Sequence, residues 1–330
     1  MKTTNKTKMS LSLAVWLATD NYDHKADPMH ISATGLLRST RETILSQRAV
    51  AQDDLEYDII DNIPSGMGSA IHTAIEQSWK TNYRGSLKAL GYPQSVIDRV
   101  IINPLPEQLK KNSIPVYMEQ RVSRKMGAYT VSGMYDFVGD GTLEDFKSMG
   151  VYGYLKGDSD EKYKLQGSIY RWLNPEIIKA DHMLIQCIFT DWSALQATIQ
   201  KDKGYPPARL LTKKIPLMSL AETEIFISNK LADLTRAREM PEAEIPDCTP
   251  ADLWRSPASY KYYKNPEKTA RSTANFDDYH LAHAKMLKDG NVGIIKEIKG
   301  QVKKCNYCKG FTLCTQKDAY LEDGSLTVRP

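Results

Sequence analysis

The chain has 330 residues, 41% of them hydrophobic and 25% charged, with a formal net charge of +4. This is the composition of an ordinary folded protein, long enough for one large domain with or without an appendage. No run of 18 apolar residues exists, which excludes an apolar spanning helix, and the mild positive charge permits nucleic acid as a partner without requiring it.

In chain order, Lys2, Lys6 and Lys8 precede an apolar stretch at 11–18 that imitates a secretory leader. The stretch is short and lacks an A-x-A site, so it reads as a folded helix in a cytoplasmic protein. A helix is expected over 33–50. Another opens near Gly68 and runs toward Leu90, with His72, Ile75, Glu76 and Trp79 on one face. A short helix over 93–102 and a loop through Pro104 and Pro106 lead to a sheet beginning near Pro115. Residues 129–138 alternate and are rich in β-branched and aromatic types, and 143–149 form a second strand. Gly139-Asp140-Gly141 between them is hairpin chemistry. A Gly- and Tyr-containing loop is expected over 150–160. A helix carrying Gln166 and Tyr170 follows, then strands over 182–189 and 209–217 and a helix over 219–239. A Pro-rich turn at 241–250 opens the C-terminal part. There is no internal repeat, no low-complexity tract and no G-x-x-x-x-G-K-[ST] phosphate loop of a motor.

The hairpin concentrates chemistry. Asp145 and Lys147 alternate on one strand and share a face, and Asp136 reaches that face from its neighbour. Two carboxylates suit Mg²⁺ or Mn²⁺. A lysine beside them suits a phosphate oxygen or an attacking water. The ordinary alternative is an exposed ion pair on a surface hairpin, and D-x-K alone does not separate the two. A lone histidine at a core boundary, as His72 is, is more often structural than a ligand. Gln166 and Tyr170, one turn apart, equally fit the edge of an amphipathic helix.

Five cysteines divide into two kinds. Cys187 lies in an apolar strand and reads as a small buried hydrophobe. Cys305, Cys308 and Cys314 have the spacing C-x2-C-x5-C, and Cys248 stands in a Pro-flanked turn upstream. Close C-x2-C pairs argue for metal rather than disulfide, and four thiolates suit Zn²⁺ or an iron–sulfur cluster. Basic residues interleave with tyrosines at Tyr260-Lys261-Tyr262-Tyr263-Lys264, with Lys268 and Arg271 beyond, and Lys296, Lys299, Lys303, Lys304 and Lys309 surround the cysteines. That pattern fits a phosphate backbone with stacked bases, and equally a solvated strand face.

Taken in series, the fragments read G-x-x-x-H at Gly68–His72, G-x-x-D at Gly133–Asp136, D-x-K at Asp145–Lys147 and Q-x-x-x-Y at Gln166–Tyr170. This resembles the PD-(D/E)XK nucleases of the RecB type, which include RecB and AddB nuclease domains, four-cysteine CRISPR-associated exonucleases and phage exonucleases. The resemblance covers roughly residues 30–320; Tyr135 stands where an aliphatic residue is usual. It implies an α/β restriction-endonuclease-like core with a mixed central sheet flanked by helices. The core would span 65–240, after an N-terminal helical region at 1–64. A cysteine-ligated appendage at 241–330 would pack on it.

The resemblance also assigns roles. His72, Asp136 and Asp145 would hold Mg²⁺ or Mn²⁺, with the Phe146 carbonyl as a fourth ligand and Glu119 in support. Lys147 would position the attacking water or neutralise charge; Gln166 and Tyr170 would line the site and touch the DNA backbone. The cysteine tail looks like that of the iron–sulfur subgroup, implying a structural 4Fe–4S cluster with zinc as the alternative. The chain departs from that subgroup because no cysteine precedes the motifs, which makes Cys248 the candidate fourth ligand. The implied activity is metal-dependent exonucleolysis of DNA in phage or prokaryotic recombination or repair, in the host cytoplasm if viral. A single-strand annealing or recombination protein is the partner to look for. A silent DNA-binding subunit and a restriction-type endonuclease are the competing readings.

Overall fold

The computed structural model describes residues 2–19, 27–51 and 56–328. Twelve strands occur in chain order: β1 Lys2–Thr4, β2 His30–Ser32, β3 Glu56–Asp58, β4 Val100–Ile102, β5 Ile114–Met126, β6 Tyr129–Gly139, β7 Thr142–Met149, β8 His182–Phe189, β9 Leu210–Pro216, β10 Ser259–Tyr263, β11 Ala274–Phe276 and β12 Ile294–Ile298. The helices are α1 Leu11–Ala18, α2 Ala33–Leu36, α3 Thr40–Ala51, α4 Ile63–Ala89, α5 Gln94–Ile97, α6 Val151–Lys156, α7 Asp160–Leu173, α8 Ala194–Ile199, α9 Leu220–Arg238, α10 Tyr279–Lys288 and α11 Gln316–Glu322. Among the described residues no helix is long and apolar enough to cross a membrane.

Two compact units result. The first comprises Met1–Leu37 and Glu56–Ala232, the second Arg38–Leu55 and Asp233–Pro330. They run differently from the three segments expected from sequence, because α3 belongs with the C-terminal residues. The helix expected over 33–50 is two: the chain leaves α2 at Leu37, and Ser39 caps α3 by accepting from the Glu42 amide at 3.0 Å.

The first unit is α/β, a mixed central sheet flanked by helices. Its strand order is β4-β5-β6-β7-β8-β9, with β2 pairing alongside the start of β6. β4–β5 and β7–β8 are parallel; β5–β6, β6–β7 and β8–β9 are antiparallel. The β6–β7 turn is Asp140-Gly141, both with positive φ (47° and 83°), the conformation that a two-residue hairpin turn matching strand twist requires. The ladder then runs only from Gly139↔Thr142 to Phe137↔Glu144. Beyond it the two strands part at Asp136 and Asp145. Under this corner Val100, Val116, Met118 and Phe137 form a core cluster, against which Trp79, Tyr83 and Leu87 of α4 and Phe146 pack. α4 is kinked at Asn82 (φ −147°, ψ 22°), so Trp79 packs on the cluster from the same segment as His72, and Tyr83 and Leu87 from the segment beyond the kink.

Two expectations change. Residues 93–102 hold the single turn α5 and then β4, whose β-branched Val100, Ile101 and Ile102 pair with Ile114, Pro115 and Val116. Residues 150–160 are not a loop: α6 occupies most of them and ends at Gly157 in the left-handed region (φ 68°).

In the second unit β10 is central between β11 and β12, all antiparallel, with α10 against them. Tyr262 and Tyr263 are buried, and the Tyr262 hydroxyl donates to the Val292 carbonyl at 2.9 Å. These two tyrosines of the basic–aromatic run therefore serve the core of the small sheet. Tyr260 instead meets Tyr279 edge-on, with ring centroids 5.7 Å apart.

Candidate functional site

In the first unit, His72 on α4, Glu119 on β5 and Asp136 on β6 bring one ligand atom each to within 4.8 Å of one another. The His72 Nδ1 lies 3.5 Å from Asp136 Oδ1 and 3.7 Å from Glu119 Oε1. Its other nitrogen, Nε2, is 3.0 Å from the Phe146 carbonyl oxygen. The Phe146 amide in turn donates to Asp136 Oδ2 at 2.9 Å. The main chain of β7 thus makes to side chains the bonds it no longer makes to β6.

Glu119 reaches the group by an unusual backbone. Its φ is +49°, left-handed in the middle of a strand, and the β5–β6 ladder skips from Met118↔Phe137 to Gln120↔Tyr135 around it. A non-glycine residue held there costs of order 1–3 kcal/mol and persists only where its surroundings enforce it. Sequence reading gave Glu119 a supporting part; the fold puts its carboxylate in the group itself.

Asp145 and Lys147 stand beside this group. Asp145 is 1% exposed, and neither carboxylate oxygen receives a hydrogen bond of good geometry, though Lys147 Nζ is 2.5 Å from Oδ2. Burial alone would pull the lysine toward its neutral form, but the charges of Asp145 and then Asp136 outweigh it and its pKa is raised. Burial, and next the charge of Asp145, push the Asp136 carboxyl well above the usual carboxylate range. His72 is pushed up to about 9, chiefly by Glu119, against its burial and with help from Asp136 and the Phe146 carbonyl. Three carboxylates facing one lysine and one histidine leave the pocket short of positive charge. Oxygen-rich donors plus one imidazole, beside a buried carboxylate whose partner is the Lys147 ammonium, fit a hard divalent cation such as Mg²⁺ or Mn²⁺.

Gln166 and Tyr170 are joined to each other, the amide donating to the tyrosine hydroxyl at 2.8 Å. Tyr170 is buried and its ring lies over Gly133, where a Cβ would stand 2.9 Å from it. The α7 side chain that meets the lysine is Tyr163, with Lys147 Nζ 6.0 Å from its ring centroid. Sequence reading missed it; its only signal was a position one turn before Gln166.

In the second unit, Cys248, Cys305, Cys308 and Cys314 line one cavity with Leu45, Leu253 and Phe311, about 440 Å³ of empty space that includes open solvent. Cys305 lies within one 3₁₀ turn and Cys308 directly follows it, and Cys314 follows a second. Gly310 between them lies so close to α3 that a Cβ would stand 2.6 Å from that of Leu45. Arg41 of α3 is buried, donates to Cys314 Sγ at 3.3 Å and to the Ile245 carbonyl at 2.6 Å, and pairs with Glu242. Ser39 Oγ is 3.1 Å from Cys248 Sγ, and the Gln316 amide bonds both main-chain groups of Cys248 at 2.9 Å. Burial, then the neighbouring thiols, push Cys305 up to about 12, and burial, opposed by the Gly310 amide and helped by the Glu42 charge, pushes Cys308 up to about 11. Among the described residues the four sulfurs do not form a group of three within 4.8 Å. Cys187, by contrast, is buried in β8 as expected of a small hydrophobe.

The chain matches no protein-family model and no curated protein. Among solved structures it is similar to the crystal structure of SSO0001, with a TM-score of 0.42 and 16% sequence identity, covering 71% of this chain and 90% of that one.

Proposed function

We propose that the chain is a metal-dependent deoxyribonuclease of the PD-(D/E)XK, RecB-like type that removes nucleotides from DNA ends. The observation that carries this reading is the His72–Glu119–Asp136 group set against the buried Asp145–Lys147 pair. The motif order in sequence and the β5-β6-β7-α6-α7-β8 succession support the same core.

His72, Glu119, Asp136 and Asp145 would hold the cation, with the Phe146 carbonyl, 3.0 Å from His72 Nε2, as a further ligand. A bound Mg²⁺ or Mn²⁺ supplies positive charge at the scissile phosphate and lowers the pKa of a nearby water. Lys147, kept charged by Asp145, orients that water and meets the negative charge that develops on the phosphoryl oxygens. Tyr163 flanks the lysine and limits its access to solvent. Gln166 and Tyr170, bonded to one another, hold α7 against β6 at Gly133. In the second unit the four cysteines would hold a structural 4Fe–4S cluster, with zinc as the alternative; their C-x2-C-x5-C spacing and shared cavity support a metal there.

The test is digestion of end-labelled linear DNA beside closed circular DNA, with Mn²⁺ or Mg²⁺, by wild type and Lys147→Ala. Metal-dependent loss of the linear substrate alone, abolished by the substitution, is the expected result. Lys147→Ala digesting at the wild-type rate removes the mechanism. Cutting of closed circles makes the chain an endonuclease, and no cutting by anaerobically purified, metal-loaded protein makes it a DNA-binding subunit.

A further inference from the structure

Three lysine–tyrosine pairs lead outward from the proposed site along one corner of the first unit. Lys147 faces Tyr163 at 6.0 Å. Tyr163 lies one turn along α7 from Asp160, which is ion-paired to Lys213 of β9 at 2.5 Å. Lys213 lies 5.5 Å from the ring of Tyr154 on α6. On the same short helix Lys156 Nζ is 5.5 Å from the ring of Tyr152. The second and third pairs share α6, which begins two residues after β7 ends. The first two pairs are joined by contacts within one unit that start at the lysine proposed to meet the phosphate, and the third stands on another face of the same short helix.

The last pair differs from the first two. Tyr163 and Tyr154 are partly covered, and Tyr154 also packs edge-on to Phe189 at 5.3 Å. Tyr152 is 70% exposed, and a Cβ on the adjacent Gly153 would meet nothing within 4 Å. Residues 152 and 156 are one turn apart, so the ring and the ammonium share a helix face. Asp158 lies 3.4 Å from Lys156 Nζ at the exposed surface, where such a pair is weak and yields to a phosphate. An exposed ring next to a cation is what a nucleotide with a free base and a phosphate can use together. A base-paired strand keeps its faces stacked inside the helix, so the ring discriminates in favour of unpaired nucleotides.

We propose that Tyr152 and Lys156 form a stacking and charge platform for an unpaired stretch of the DNA strand that runs to the site, so that the chain engages single-stranded DNA ends. This rests on the nuclease reading for the direction of the strand, not for the binding itself. Tyr163 and Lys213 connect Lys147 to α6, the helix that carries the platform.

The test uses the full chain loaded with Ca²⁺ in place of Mg²⁺, and fluorescence anisotropy with a short fluorescein-labelled oligothymidylate, against closed circular duplex as the second ligand. Tyr152→Ala is expected to weaken single-strand binding about fivefold or more, as loss of one stacked base does. Tyr152→Trp is expected to bind at least as tightly as wild type. Lys156→Gln is expected to weaken binding and lower the salt slope by about 0.7. Duplex binding is expected to be unchanged by all three. Single-strand binding by Tyr152→Ala equal to wild type overturns the proposal, as does equal weakening for both ligands. With Mg²⁺ or Mn²⁺ added, Tyr152-dependent binding by a chain that cuts nothing removes the nuclease reading and leaves the platform. Digestion by Tyr152→Ala with wild-type KM on single strands removes the platform and leaves the nuclease.

Discussion

The acidic site and the cysteine cavity are both poised for metal, yet they are built in opposite ways. The acidic site draws His72, Glu119, Asp136 and Asp145 from a long helix and three strands with a core cluster beneath them. The cysteine cavity draws three of its four thiols from the ends and body of two 3₁₀ turns, beside a small buried cluster of Leu253, Val302 and Leu326. Strands order one another through ladders of backbone hydrogen bonds. Short turns have fewer such bonds, so a metal held by their thiols would add more to their order.

The comparison breaks most easily at the cysteines. Cys305→Ser or Cys308→Ser is expected to lose bound metal and to destabilise residues 233–330 by several kcal/mol, short of the roughly 10–16 kcal/mol that structural zinc gives small peptides. Iron, labile sulfide and zinc content per chain, with hydrogen exchange over those residues, checks this. Exchange protection equal to wild type after metal loss would show that the cavity is held by protein contacts alone.

Next in size is Lys147→Ala. Activity is expected to fall roughly 10²–10³-fold, the usual loss when a group that meets transition-state charge is removed. The same change leaves the Asp145 carboxylate buried without its partner, at a cost of about 3–5 kcal/mol. Lys147→Ala/Asp145→Asn is therefore expected to regain melting temperature and no activity. A double variant as unstable as the single one would mean that the pair is not the source of the loss.

A smaller effect comes from pH. In metal-free protein the His72 pKa is held at about 9 against an ordinary 6.5. The proton thus favours the folded state, fully so below 6.5, and this contribution disappears as pH rises toward 9. Asp136, also raised, has the same sign from its ordinary 3.8 upward. Melting temperature of the metal-free chain should fall between pH 6.5 and 9, His72→Gln should flatten the fall, and Mn²⁺ should reduce it by replacing the protons. A flat wild-type profile would mean that Glu119 does not hold the His72 proton. Smallest is Gly133→Ala. Its methyl would stand 2.9 Å from Tyr170 and Leu173, and overpacking of this kind costs about 1–3 kcal/mol, read as a shift in urea midpoint.

Much of the framework was legible because it obeys local rules. Strong alternation marked 129–138, the Asp-Gly turn fixed the hairpin register, and the long polar–apolar helix at 219–239 emerged as Leu220–Arg238. Short elements were not legible. Val100–Ile102 is too brief to distinguish a strand from a helical turn, and Ser39 marks a helix start that a continuous apolar pattern conceals. His72, Asp136, Asp145 and Lys147 came from motif order, but the place of Glu119 depends on a left-handed residue facing Asp136 across a ladder gap. No residue type announces that. Arg41 and Glu42 beside the cysteines were invisible for another reason: they lie some 200 residues upstream, and only the fold closes that interval.

That interval has a consequence for biosynthesis. Arg41 is made 273 residues before Cys314, the sulfur to which it donates. As the chain emerges, α3 must stay uncommitted while all of 56–232 is synthesised, and only then meets its partners. A fragment beginning after α9 would carry all four thiols and lack the wall formed by Arg41, Glu42 and Leu45. The cysteine unit can thus be completed only last, and a ribosome that stops short of Cys314 leaves a chain whose central sheet is finished while α3 still lacks that sulfur.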